Sequence, residues 1–296
     1  MCNLIEIENV TKQFTGFALR DVTFALPQGY IMGFIGPNGA GKTTTIKLIL
    51  NMLARDYGSI RVFGLDNRSA EAEIKERIGV VFDQPFYVEE WTLREVERAL
   101  APFYQTWQSA RYHQLLRDFD LDPQKQVKAL SRGMKMKLMI AAALSHDAQL
   151  LILDEPTSGL DPVARDELLE ILTAFMTDEQ HGAARGILFS THITSDLEKI
   201  ADYITFIRDG ALVYTGPKDH LLEASVIVRG GRGELSATQQ AQVMGYREYS
   251  TGFEALANAA QLAQLPKGLL VEPATLEEIV IYMNKDKRNT KVAHHV

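Results

Sequence analysis

Apolar residues along this chain fall into three patterns, and each predicts a kind of element. Ile31-Met32-Gly33-Phe34-Ile35, Leu150 to Leu153 and Gly186-Ile187-Leu188-Phe189-Ser190 are short runs without charge. Such runs fit parallel strands buried on both faces. Leu4-Ile5-Glu6-Ile7-Glu8 and Ile60-Arg61-Val62-Phe63 alternate instead, so residues 3–35 and 58–65 read as strand-rich, with an antiparallel layer. Helical spacing is the third pattern. Ile46, Ile49, Leu50 and Leu53 form one stripe. Leu168, Ile171, Leu172 and Phe175 form another, behind Asp161-Pro162, which reads as an N-cap followed by proline at the first helical position.

Residues 92–145 read as helical, opening on a capping box at Thr92-x-x-Glu95 and carrying the stripe Tyr112, Leu115, Leu116, Phe119. Tyr203 to Tyr214 reads as a hairpin around Asp209-Gly210. Beyond Pro217, residues 221–284 read as a small mixed α/β appendix. It closes on a helix capped at Thr275-x-x-Glu278, with Leu276, Ile279, Val280 and Met283 on one face. The predicted class is α/β: a mixed, mainly parallel core sheet, an antiparallel β layer, a helical segment and the C-terminal appendix.

The chemistry sits where these elements join. Gly36-x-x-x-x-Gly41-Lys42-Thr43 falls between an uncharged strand and an amphipathic helix. A glycine-rich turn there aims backbone N–H groups and a helix N-terminus at an anion. Lys42 supplies a charge for β- and γ-phosphates and Thr43 a hydroxyl for Mg²⁺. The second strand ends in Asp154-Glu155. Carboxyl ends of parallel strands are where ligands collect, so Asp154 suits a Mg²⁺ shell and Glu155 suits polarising an attacking water. The third uncharged strand ends in Thr191-His192, and His192 at its tip falls at the same edge and suits a γ-phosphate contact.

Together these residues resemble the nucleotide-binding subunit of an ABC transporter, over about residues 3–220 and in the family's motif order. GPNGAGKTT (Gly36, Pro37, Asn38, Gly39, Ala40, Gly41, Lys42, Thr43, Thr44) resembles Walker A, and LLILDEP resembles Walker B with its following glutamate. SGLD, ending in Asp161, resembles the D-loop, and His192 the switch histidine. Phe14 sits where the family stacks an aromatic ring on adenine. LSRGMK resembles the LSGGQ signature, which implies that Ser131 and Gly133 contact the γ-phosphate held by the opposite subunit. Two departures stand out. The family's Q-loop glutamine aligns with Asp83, leaving Gln84 one place later, so both count as nucleotide-site residues and Gln84 joins Thr43 and Asp154 as a Mg²⁺ candidate. In the signature, Arg132 replaces a glycine and Met134 the glutamine, variation similar to that of drug, bacteriocin and multidrug exporters.

The resemblance implies an ATP-hydrolysing cassette over residues 1–220, with a helical subdomain at about 88–145. A small accessory domain at 221–284 and a polar basic tail at 285–296 follow. It implies ATP and Mg²⁺ as ligands, a homodimer or a heterodimer with a related subunit, and a transmembrane permease as partner. Phe86, Tyr87 and Trp91, at the edge of the helical subdomain, would suit docking of that permease and equally suit internal packing.

Composition narrows the alternatives. The 296 residues are 46% hydrophobic and 23% charged, ordinary for a globular protein. A formal charge of −7 argues against a nucleic-acid partner. One cysteine, Cys2, allows no internal disulfide. No run approaches the roughly eighteen apolar residues of a membrane helix, and Glu6 and Glu8 interrupt any signal-like start. The expectation is a cytoplasmic chain, peripheral on the inner face of the cell membrane and powering export. Soluble ABC ATPases of the iron–sulfur assembly type and ABC importers remain alternatives. A GTPase or small-molecule kinase is a third class, disfavoured because Lys287 stands where the guanine motif needs aspartate and because neither class has a place for the signature stretch.

Overall fold

The structure is a computed structural model and describes residues 2–178 and 184–285. Most of the basic tail expected at 285–296 lies outside the described residues. Two long strands, β1 (Asn3–Phe14) and β2 (Phe17–Pro27), precede β3 (Ile31–Ile35) and α1 (Lys42–Ile49). Next come β4 (Tyr57–Val62), β5 (Leu65–Asp66), α2 (Glu71–Glu76) and β6 (Ile78–Val81). The helical segment holds α3 (Leu93–Leu100), α4 (Ser109–Asp118) and α5 (Arg132–Ala143). It is followed by β7 (Leu150–Asp154), α6 (Pro162–Met176), β8 (Gly186–Thr191), α7 (Thr194–Ile200), β9 (Tyr203–Arg208) and β10 (Ala211–Pro217).

Strands β1, β2, β4 and β5 form the antiparallel layer, in the order β2-β1-β4-β5. The central sheet runs β10-β9-β3-β8-β7-β6, parallel except for β10. Every residue of β3, β7 and β8 is buried, which explains why these runs carry no charge. Ile31, Ile35, Leu151, Leu153, Ile187 and Phe189 pack against α5, α6 and α7 through Met136, Leu168, Leu172 and Leu197. The intervening residues Met32, Phe34, Ile152 and Leu188 face the antiparallel layer and α1, meeting Ile7, Phe24, Ile46 and Ile49.

The helical segment links two neighbouring strands. It leaves the sheet after Val81 and returns at Leu150, although Ile78 and Leu150 are register partners. Its return is pinned: the Arg77 guanidinium donates to Gln149 Oε1 at 2.6 Å, and His146 Nε2 lies 3.2 Å from the Ile78 carbonyl oxygen. Thr92 and Glu95 form the expected capping box, and the buried Tyr112 hydroxyl donates to the Leu93 carbonyl at 2.9 Å. Of the three edge aromatics, Phe86 is 82% exposed, while Tyr87 and Trp91 pack into the core of this segment.

After α8 (Lys218–Glu223) come β11 (Ser225–Gly230), α9 (Ala237–Gln242), β12 (Gly245–Glu248), β13 (Phe253–Asn258), β14 (Leu270–Pro273) and α10 (Leu276–Lys285). The strands form an antiparallel sheet, β12-β13-β11-β14. Thr275 and Glu278 exchange the bonds of a capping box, as the spacing predicts. This sheet is not packed separately, because Ile227, Leu256, Leu276 and Ile279 belong to the same buried cluster as Leu197 and Ile204. Among the described residues, no helix is long and apolar enough to cross a membrane.

The β9–β10 turn has φ of 49° at Asp209 and 77° at Gly210, the two positive values of the turn that matches strand twist. A Cβ at Gly210 would lie 1.8 Å from the Ala18 carbonyl oxygen. Gly210→Ala is therefore expected to cost roughly 2 kcal/mol, lowering the Tm of the full chain by about 5 °C. Thermal denaturation checks this, and an unchanged Tm would show that the turn relaxes without penalty.

Candidate active site

Parallel register brings three strand ends level. Ile35 pairs with Thr191, and Asp154 with Ser190. The residues just past those ends, starting at Gly36, Glu155 and His192, therefore share one edge. Gly41 begins α1 with φ of 115°, and a Cβ there would come within 2.5 Å of Leu19 Cδ2, so only glycine fits this turn. Lys42 is 6% exposed. Its ammonium donates to the Gly36 carbonyl at 2.7 Å and lies 3.2 Å from Glu155 Oε1. The other Glu155 oxygen lies 2.6 Å from His192 Nδ1 and accepts from the His192 backbone N–H at 3.3 Å. Glu155 has left-handed backbone, φ 53°, and its N–H donates to the Ser190 carbonyl at 2.9 Å. That conformation costs on the order of 1 kcal/mol, and such strain persists only when its surroundings hold it.

Beside this cluster, the Thr43 hydroxyl donates to Asp154 Oδ2 at 2.7 Å and the Ser190 hydroxyl to Oδ1 at 3.0 Å. Burial pushes the Asp154 carboxyl above its ordinary pKa, against the pull of these two hydroxyls, and the neighbouring Glu155 adds to the rise. A cation close by would relieve that penalty. The hydroxyl–carboxylate pair offers the hard oxygen donors that Mg²⁺ takes.

The remaining candidates are distributed around this centre. Phe14 is 43% exposed and stacks at 6.3 Å on Phe17, whose ring reaches the Cα side of Gly41. The two aromatics line an open cavity of about 270 Å³ with Gln13 and Arg20. Ser131 caps α5, its hydroxyl accepting from the Met134 N–H at 3.3 Å. Ser131 and Gly133 share a separate cavity with Gly159 and Asp161, and none of its lining residues comes from 36–44. Asp161 accepts from the Val163 and Ala164 N–H groups, each at 3.0 Å, capping α6 as the Asp-Pro step predicts. Asp83 and Gln84 line a third cavity with Arg132 and Lys135, and no hydrogen bond joins either to Thr43 or Asp154.

One participant and one contact escaped the sequence reading. Ser190 steadies Asp154 from the next strand, a role that a hydroxyl at the tip of an apolar strand could have signalled. Arg132 lies flat against Gly159, where a Cβ would come within 2.9 Å of its guanidinium carbon. No sequence periodicity connects those two positions.

A glycine-rich phosphate cradle at the carboxyl edge of a parallel sheet, with a lysine, a hydroxyl and two carboxylates converging on it, defines a P-loop nucleotide-binding protein. Comparison with known proteins makes this specific. The ABC transporter family profile matches residues 19–158. The bacitracin transport ATP-binding protein BcrA of Bacillus licheniformis is 34% identical over 75% of this chain and 72% of its own length. The Nod factor export ATP-binding protein I of Burkholderia orbicola is 33% identical over 75% and 73% respectively. A solved ATP-binding subunit of an ABC transporter superposes with a TM-score of 0.66 at 33% identity, covering 74% of this chain and 91% of that one. The chain belongs to the ABC transporter ATP-binding proteins.

Asp154 has a folded pKa above its unfolded value, so its contribution to stability is intact below about pH 4 and is lost as pH rises through the folded value. In magnesium-free buffer, Asp154→Asn should therefore melt above the wild type at neutral pH, with the gap closing towards pH ~4. Melting curves across pH test this; a variant that melts lower at neutral pH would mean that the buried charge is fully compensated.

Proposed function

We propose that this chain hydrolyses ATP with Mg²⁺ and that turnover drives export through a separate membrane-spanning subunit. The observation that carries the reading is the contact chain Lys42–Glu155–His192, set beside the Thr43–Asp154 hydrogen bond. Phosphoryl transfer asks a protein mainly for positioning and electrostatics, and this edge supplies a cation, a hydroxyl, two carboxylates and an imidazole.

Lys42 neutralises Glu155 at 3.2 Å. A triphosphate is the stronger anion and draws the ammonium away, leaving the carboxylate to orient a water. His192 holds that carboxylate in place through its ring and its backbone N–H. Thr43 and Asp154 would hold Mg²⁺, which would supply neutralisation of charge on the phosphoryl oxygens. Phe14 offers an open aromatic face to the base, and the loop from Gly36 to Thr44 offers N–H groups to the phosphates. The likeness of LSRGMK to the LSGGQ signature assigns Ser131 and Gly133 to the nucleotide of a second subunit, identical or related, and a cavity apart from that loop agrees with it. The naming of a 33% identical relative for Nod factor export supports the outward direction. A position at the inner face of the cell membrane follows from the need to dock on the membrane subunit.

Glu155→Gln should keep ATP binding, lower kcat by about 10²–10⁴-fold as loss of a general base does, and accumulate a closed dimer on ATP. Steady-state hydrolysis with the membrane subunit present, together with size-exclusion chromatography, tests it. Wild-type turnover by this variant would remove Glu155 from its role.

A further inference from the structure

Helix α10 is tied to the rest of the chain at both ends. At its start, the Leu276 N–H donates to Glu198 Oε1 at 2.9 Å; at its end, the Arg208 guanidinium donates to the Met283 carbonyl. A carboxylate at the N-terminus and a guanidinium at the C-terminus match the helix dipole. Between them, Leu276 and Ile279 are fully buried against the core that contains Leu197. Glu198 is also met by a second element, because its carbonyl oxygen accepts from Lys218 Nζ at 2.9 Å.

Both anchor points lead to the active edge. Glu198 lies on α7, which starts two residues after His192. The next residue back, Leu197, presses on β3 at Gly33, where a Cβ would come within 2.7 Å of it. Asp196, 2% exposed, has the Arg165 guanidinium 3.9 Å away, so α7 is held from α6 as well. At the other anchor, Arg208 precedes the turn whose Gly210 N–H donates to the Ala40 carbonyl in the phosphate loop at 3.1 Å.

We infer that Glu198 is a positioning residue: through it, α10 and the C-terminal sheet hold α7, and with it His192, in place against Glu155, so that this sheet sets the rate of turnover and not the affinity for ATP. The inference rests on the reading of Glu155 and His192 as the hydrolytic pair. Glu198 is exposed, so its replacement leaves the core intact.

The test compares wild type, Glu198→Ala and Glu198→Gln as full chains with their membrane subunit. It measures kcat and KM for ATP, and hydrogen–deuterium exchange of residues 186–200. In Glu198→Ala, exchange over α7 should rise and kcat should fall, each by roughly three- to ten-fold, as for one lost charge-assisted hydrogen bond at a partly exposed site. KM should stay unchanged, and Glu198→Gln, which keeps the acceptor oxygen but not the charge, should recover part of both losses. Unchanged α7 exchange, an unchanged kcat, or a change carried by KM overturns the inference. Absence of hydrolysis by the wild type would instead overturn the proposed function. In that case the exchange measurement alone decides whether Glu198 holds α7, with unchanged exchange overturning it.

Discussion

Burial of the central sheet on both faces is the constraint from which the site follows. Strands β3, β7 and β8 have no exposed position, so their interiors hold no charge. Polar chemistry is confined to the strand ends, and parallel register collects those ends at one edge. Asp154 is the only charged residue admitted into one of these three strands, at its last position, and it is buried there at a cost that two hydroxyls only partly offset. Lys42 and Glu155 resolve a similar problem by pairing. The edge is therefore electrostatically tense while the layers beneath it are apolar and fixed.

Much of this was legible in the sequence, and the reason is periodicity. The uncharged runs, the two capping boxes and the Asp209–Gly210 turn are local signals, and the structure reproduces each; the first helix stripe overruns its element, because α1 ends at Ile49 and leaves Leu50 and Leu53 beyond it. Burial explains the first, because a strand covered on both faces loses the alternation that exposed strands keep. The phosphate loop and the carboxylate pair could be placed together because a parallel sheet puts successive carboxyl ends side by side.

What was not legible depends on contacts between distant positions. Ser190 reaches Asp154 only because β8 and β7 are neighbours in that register. Arg132, which looked like a lost glycine, is a side chain spread over the peptide at Gly159. The motif that carries Ser131 and the one that carries Asp161 are thus in van der Waals contact within a single chain. The C-terminal sheet read as a separate appendix because no motif crosses into it, yet Leu276 and Ile279 complete a core begun by β3 and β8. Tyr282 was absent from the predicted stripe, but it packs against Gly245, where a Cβ would come within 2.7 Å of its ring. Its hydroxyl has a hydrogen-bond partner in Glu254.

The path of the helical segment has a mechanical consequence. Chain leaves the sheet at the carboxyl edge, after Val81, and re-enters at the opposite edge, at Leu150, where Arg77, Gln149, His146 and Ile78 are bonded together. One root of the lobe is held by these hydrogen bonds, and the other is the short segment that carries Asp83 and Gln84, packed through Phe82 and Tyr87. A tilt of the lobe against the sheet must therefore either break those bonds or bend the chain at Asp83 and Gln84.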